Sequence, residues 1–272
     1  MSEADFQLIA RLVKQHAGIH LAAHKQAMVY ARLAGRLRAL GMTSFESYCR
    51  TLTAPRAETE IGVLVNAITT NFTRFFRERH HFEHLAEDVF PAMIRRAART
   101  GRRRLRVWSA GCATGEEAYS IAMTLRQCVP DLDLWDARVL ATDISTDALA
   151  AAETGIYGLR QMMDVPNEMV DRYFRPTPGN PDDYEVVPQV KALVTFNWLN
   201  LLDDWPMEGP FDAIFCRNVI IYFDNAAQDS VVRRCGSMLD RDGVLYLGHS
   251  ESALWGHCGL QLVGRSTYRR VA

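Results

Sequence analysis

Residues 105–123, LRVWSAGCATGEEAYSIAM, constrain the fold of this chain more than any other segment. An apolar, strand-like run from Leu105 to Ala110 stops at the small-residue turn GCATG. Two acids, Glu116 and Glu117, then open an amphipathic helix pattern. A second apolar run, ARVLATDIS, ends on Asp143. Strand, glycine turn, helix, strand and acid form the layout of a site for an adenosine ribose. The details differ from a dinucleotide fingerprint. Gly111 and Gly115 do not make GxGxxG, and Asp143 lies farther from the turn than the usual ~20 residues. Carboxylates stand where a pyrophosphate would sit, which argues against a phosphate-rich ligand and for one bearing positive charge. S-adenosylmethionine meets that description: it has a ribose, a sulfonium and an ammonium group, and no phosphate.

The alternation continues beyond Asp143. Strand patterns are expected at 105–110, 137–142, near 196–201 and at 211–219, with helices at about 116–127, from Thr146, and up to Leu239. The last strands are expected at 243–251 and 260–271. This predicts an α/β fold, a doubly wound, mostly parallel, Rossmann-like sheet with the ligand at the carboxyl ends of the strands. Regularity breaks between about 166 and 199, where turn signals bracket short β-rich pieces, and a small antiparallel β insertion is expected there. Upstream, stripes through Phe6, Ile9, Leu12 and Val13, and from Ala27 to Leu40, predict a small all-helical N-terminal domain. SFESYCRTL and AETEIGVLVNAIT add two further helices. The expected division is 1–90 and 91–272.

The formal net charge of -1 excludes a global field directed at nucleic acid or membrane. Over residues 1–40, however, six basic groups (Arg11, Lys14, Lys25, Arg32, Arg36, Arg38) face two acids. Two readings stay open for them: a solvated helix surface, or a docking face for an acidic partner. No apolar run approaches the ~20 residues that span a bilayer, and the first residues lack a signal-peptide pattern. Six scattered cysteines without a CxxC pair read as reduced thiols of a cytoplasmic protein. His16, His20 and His24, like His80, His81 and His84, have no accompanying HExxH or cysteine set, so no metal is expected.

The candidate chemistry lies in four places. Glu117 either faces a cofactor ammonium or caps its helix, and Asp143 is placed to accept ribose hydroxyls. Asn200 and Asn218 end strand patterns and offer both donor and acceptor. Asn71, Thr73 and Arg77 stand among Phe72, Phe75 and Phe76, where Arg77 is suited to a bidentate carboxylate contact.

GIHLAAHKQAMVYARLAGRLRALG, VNAITTNFTRFFRERHHF, VWSAGCATGEEAYSIAM, LATDIS, FNWLNL, FDAIFCRNVIIYFD and LYLGHSES run through nearly the whole chain. Together they resemble the chemotaxis receptor glutamate O-methyltransferase family, CheR. The resemblance implies a helical N-terminal domain that docks on receptors and an S-adenosylmethionine-dependent catalytic domain with a β-subdomain. It implies methyl transfer to glutamates in the cytoplasmic domain of methyl-accepting chemoreceptors, leaving S-adenosylhomocysteine. It also implies cofactor contacts at Asn71, Thr73, Arg77, Glu117, Asp143, Asn200, Leu201, Asn218 and Val219, and catalytic roles for Arg77 and Tyr222. A monomer is expected, without membrane insertion or nucleic-acid binding. Two alternatives remain at this stage: a methyltransferase acting on another protein or a small molecule, and a cofactor-binding adaptor that does not catalyse.

Overall fold

The computed structural model describes residues 1–251 and 259–271. Ser252, which ends the last of the motifs quoted above, and the cysteine Cys258 lie outside them. The chain divides into two compact units, Met1–Thr70 with Tyr222–Gln228, and Asn71–Ile221 with Asp229–Ala272.

The first unit is built from α1 (Glu3–Ala17), α2 (Gln26–Ala39), α3 (Phe45–Leu52) and α4 (Glu58–Ile68). A capping box starts α1: the Ser2 hydroxyl accepts from Asp5 N at 3.2 Å, and Asp5 accepts from Ser2 N at 2.7 Å. Gly18 stops it in the left-handed region at φ 69°, where glycine carries no steric penalty. Phe6, Ile9 and Val13 of α1 are buried, as are Val29, Leu33 and Leu37 of α2, so the 3.6-residue spacing translates directly into a core.

The basic face of α2 is partly consumed inside this unit. The Arg32 guanidinium donates to the carbonyls of Ile68 and Thr69 and, at 2.8 Å, to the Thr70 hydroxyl. Those carbonyls sit at the C-terminus of α4 and lack intrahelical donors. Arg36 forms a two-point ion pair with Glu60 of α4. Of the four α2-region cations, only Lys25 and Arg38 are left exposed.

In the second unit, α5 (His80–His84) runs through a π turn (Leu85–Val89) into α6 (Phe90–Thr100). There follow β1 (Arg104–Ala110), α7 (Glu116–Cys128), β2 (Asp136–Asp143), α8 (Thr146–Thr154), β3 (Ile156–Gly158), α9 (Leu159–Met162) and α10 (Asn167–Tyr173). Next come β4 (Phe174–Thr177), β5 (Asn180–Val186), α11 (Pro188–Lys191), β6 (Val194–Trp198) and β7 (Phe211–Cys216). The chain closes with α12 (Asn225–Met238), β8 (Leu239–Leu247), β9 (Leu260–Gly264) and β10 (Thr267–Arg270). The main sheet has the order β6-β2-β1-β7-β8-β10-β9. Its first five strands pair in parallel, and β10 pairs antiparallel with both β8 and β9. Chain order reverses on either side of β1, which opens a crevice at the carboxyl ends of β1 and β7.

Three boundaries differ from the sequence expectation. Residues 71–90 belong to the second unit because Phe75, Phe76, Phe82, Leu85, Val89 and Phe90 enter the same core as the strand residues Val107, Val139 and Phe215. The small antiparallel sheet, in the order β3-β5-β4, starts before 166 with the three residues of β3, too few to show a period. It ends at Val186, short of the expected 199, and β6, the strand expected near 196–201, pairs with β2 in the main sheet. The final expected strand, 260–271, is a hairpin, with Ser266 at φ 50° making the turn.

Candidate functional site

Asp143 ends β2, and its carboxylate is buried. Ala113 N donates to Oδ2 at 2.8 Å and Ser145 N donates to Oδ1 at 2.8 Å. Burial pushes its pKa up, while the backbone N–H groups of Ser145, Ala113 and Ile144 pull it down. A carboxylate offers about four acceptor sites, so capacity remains for a ligand hydroxyl. The glycine turn is fitted to this acid. Gly111 and Cys112 both donate to the Thr142 carbonyl, at 2.7 and 2.9 Å, and Ala113 takes a left-handed φ of 49°.

Asn71 reaches the same place: its Nδ2 donates to Ser145 Oγ at 3.2 Å, and that hydroxyl also caps α8 by accepting from Ala148 N. Leu199 N donates to the Asp143 carbonyl at 3.0 Å, which brings the next residues, Asn200 and Leu201, to the end of β2. Both are buried. Asn200 Oδ1 accepts from Leu202 N at 3.1 Å, and the Leu201 carbonyl accepts from Trp205 Nε1 and Arg234 Nη1.

Glu117 lies deeper. Ser109 Oγ donates to its Oε1 at 2.7 Å, and Arg217 Nη1 donates to its Oε2 at 3.0 Å. Burial raises the pKa of Glu117, opposed chiefly by the Arg217 charge and then by the Ser109 hydrogen bond. Its carboxylate therefore meets a fixed guanidinium instead of capping the backbone of α7. Arg217 also donates to the carbonyl of Arg77 and lies 3.6 Å from Glu78 Oε2. Positive φ values at Phe76 (52°) and Glu78 (56°) flank Arg77. Such values are uncommon for bulky residues and mark a conformation imposed by its surroundings. Among the described residues, the Arg77 guanidinium finds the Phe72 carbonyl at 3.2 Å and no carboxylate. It is half-buried and available to an incoming anion. Thr73 is also half-buried, and no hydrogen bond joins it to these residues.

Asn218 follows β7 in the left-handed region at φ 59°. Its neighbour Val219 packs so closely on the glycine turn that a Cβ on Gly111 would fall 2.2 Å from Val219 Cγ2. Glycine there is a packing requirement as well as a turn requirement. Tyr222 ends the 3-10 turn Ile220–Tyr222 and belongs with the first unit, where its carbonyl accepts from His20 N at 2.8 Å.

Glu78, His80 and His81 bring one potential metal-ligand atom each within 4.8 Å of one another. His81 Nε2 donates to the Arg265 carbonyl at 3.0 Å, and burial together with Arg217 lowers its pKa to about 3, so the imidazole is neutral. The cation that Glu78 faces is the Arg217 guanidinium, whose fixed charge opposes a metal ion in that position.

Sequence reasoning passed over Arg217, Ser145 and Glu251, three buried residues that hold the site together. The signal for Arg217 was present. An arginine closing the apolar run FDAIFC requires a buried acid partner. Glu251 and Ser145 sit in polar loop sequence and carry no such mark.

The crevice combines a buried acid at the end of β2 with a glycine turn fitted to it. Residues 4–69 match the CheR methyltransferase all-alpha domain, and residues 71–260 match the CheR methyltransferase SAM binding domain. The chain is 44% identical over 255 residues to a chemotaxis protein methyltransferase of Salmonella typhimurium, covering 93% of this chain and 85% of that one. It is 40% identical over 266 residues to chemotaxis protein methyltransferase 2 of Pseudomonas aeruginosa, covering 97% and 92%. A probable chemotaxis protein methyltransferase of Rhizobium etli is 41% identical over 241 residues, covering 88% and 89%.

Proposed function

The chain belongs to the CheR family of S-adenosylmethionine-dependent chemotaxis methyltransferases, and from that premise we propose that it esterifies glutamate side chains in the cytoplasmic domain of chemoreceptors, releasing S-adenosylhomocysteine. The observation that carries the choice of acceptor is Arg77, a half-buried guanidinium with no carboxylate partner among the described residues, on a segment whose backbone is tied through Arg217 to Glu117.

Bound S-adenosylmethionine supplies an electrophilic methyl group on a sulfonium. The donor set fits it. Asp143 has acceptor capacity left for the ribose hydroxyls, and Asn71, through Ser145, stiffens the loop beside that acid. Asn200, Leu201, Asn218 and Val219, at the ends of β6 and β7, would hold the rest of the cofactor, and the family resemblance assigns Thr73 and Glu117 to the same task. Because Glu117 is paired with Arg217, its contribution is to fix the shape and charge of the pocket floor. No general base is needed, since a glutamate carboxylate is already ionised near neutral pH. Arg77 orients that carboxylate, and the family motif RNVIIYF assigns Tyr222 a hydroxyl role in the same reaction. Catalysis then rests on alignment of oxygen, methyl carbon and sulfur and on exclusion of water. Arg77 must not bind the acceptor too tightly, because the acceptor loses its negative charge on methylation.

No helix among the described residues is long and apolar enough to cross a membrane. With its free cysteines, this supports a cytoplasmic enzyme that meets receptors at their cytoplasmic ends. Labelled methyl transfer to receptor cytoplasmic fragments tests the proposal. Label is expected on fragments with native glutamates and not on fragments with those glutamates changed to glutamine. Arg77→Ala should lower transfer far more than it lowers stability, and Arg77→Lys should also be poor if the contact is bidentate. Labelling that persists on the glutamine fragments would contradict the proposal.

A further inference from the structure

We propose that Glu251 is a positioning residue for cofactor capture, acting by holding the Asn218–Val219 corner in place. Glu251 is 4% exposed, and its carboxylate gathers four backbone N–H groups from two segments among the described residues. Oε2 accepts from Asn218 N and Gly248 N, each at 2.7 Å. Oε1 accepts from Val219 N at 2.8 Å and Ile221 N at 3.3 Å. Four donors fill the roughly four acceptor sites of one carboxylate. Charge-assisted bonds of this kind are about twice as strong as neutral ones, and together they offset the burial of the charge.

The corner needs such an anchor. Asn218 stands at φ 59°, which an isolated non-glycine residue seldom adopts. The turn also points three N–H groups, those of Asn218, Val219 and Ile221, at one carboxylate. Without an acceptor there, the chain would relax and carry the Asn218 side chain with it. Gly248 completes the clamp from the end of β8. A Cβ at that position would lie 2.6 Å from Asn218 Nδ2, 2.7 Å from Glu251 Oε2 and 2.9 Å from Asn218 N. On the opposite side, Val219 abuts the glycine turn at Gly111. The corner is thus wedged between two glycines and tied down by one acid. Glu251 itself touches backbone, and its effect on the cofactor passes through Asn218 and Val219. The inference rests on the reading that this crevice holds S-adenosylmethionine.

Glu251→Gln keeps the shape but turns one oxygen into an NH₂ group aimed at two donors. In the full chain it should weaken S-adenosylhomocysteine binding at least tenfold by calorimetry and raise the KM for S-adenosylmethionine more than it lowers kcat. Thermal unfolding should remain a single cooperative transition. Glu251→Asp, which keeps the charge on a shorter stem, should recover part of the affinity. Should Glu251→Gln not fold, Gly248→Ala perturbs the same clamp by intrusion and should show the same loss of affinity. A double-mutant cycle with Asn218→Ala separates positioning from simple structural support. If Glu251 acts through Asn218, the combined loss of affinity is well below the product of the two single losses. A lowered melting temperature with unchanged S-adenosylhomocysteine affinity would overturn the proposal, and so would fully multiplicative losses. Failure of the wild-type chain to bind S-adenosylhomocysteine would overturn the cofactor reading beneath it.

Discussion

Arg217 Nη1 meets Glu117 Oε2 at 3.0 Å, joining the end of β7 to the first turn of α7 beneath the cofactor crevice. Both side chains are buried, and the guanidinium also faces the rings of Phe82 and Phe215. Removing one partner of a buried ion pair strands the other charge, at a cost of roughly 3–5 kcal/mol. Arg217→Met and Glu117→Gln should therefore each lower the unfolding midpoint sharply. The double variant should be more stable than the sum of the two single losses predicts, because neither charge is then left alone. Additive losses in urea unfolding would show that the pair is not energetically coupled.

Asp143 holds the glycine turn, the proposed function adds the ribose hydroxyls, and substitution tests both. Asp143→Asn replaces one acceptor with a donor, opposing either Ala113 N or Ser145 N. It also removes an acceptor from the ribose. A lost hydrogen bond to a buried charged group costs about 1–3 kcal/mol, so S-adenosylhomocysteine should bind about ten- to a hundredfold more weakly. A modest fall in melting temperature should accompany it, as the glycine turn loosens. An unchanged dissociation constant would remove Asp143 from the site.

The first unit carries an acid-sensitive tie. The hydrogen bond from Arg36 holds the Glu60 carboxyl below its ordinary range, with Tyr48 adding to the effect. Since the folded pKa is depressed, the stabilisation is complete above the unfolded-state value and is lost as the pH falls through the folded one. The melting temperature of the wild type should exceed that of Glu60→Gln at pH 7, and the gap should close on acidification toward pH 3. A gap independent of pH would show that the charge contributes nothing.

The expected docking face of the helical unit keeps fewer free cations than its sequence suggests. Arg32 and Arg36 are engaged with α4 and the residues after it, so reversing their charge should destabilise the unit. Lys25 and Arg38 are exposed, and their reversal should raise the KM for receptor without altering cofactor affinity. The wild-type KM should rise with salt, because exposed charges are screened over about 8 Å at physiological ionic strength. If it is indifferent both to salt and to reversal of Lys25 and Arg38, the face is only solvated surface.

Much of this architecture is legible in local pattern. The helices of the first unit and the run from β1 through α8 follow from apolar spacing. Asp143 is legible because an acid closing an apolar strand has few other uses. Features set by distant partners were not legible. Glu117 reads as a cofactor contact or a helix cap until Arg217 arrives from 100 residues away. Arg32 and Arg36 read as free surface until α4 packs beside them. Residues 71–90 look like a continuation of the helical unit because nothing local shows that Phe75, Phe82 and Phe90 enter the core of the other unit. The three residues of β3 carry no period at all and gain strand geometry only by pairing with β5.

The central claim concerns the bond that is made, a methyl ester on a receptor glutamate. The most direct test is to incubate the full chain with methyl-labelled S-adenosylmethionine and a receptor cytoplasmic fragment, isolate the fragment, and expose it to mild base. An ester hydrolyses, so the label should leave the protein as volatile methanol, and Arg77→Ala should reduce the amount formed. Label that is transferred but stays on the fragment after base treatment would mean an N-methyl or another stable linkage, and would contradict the account.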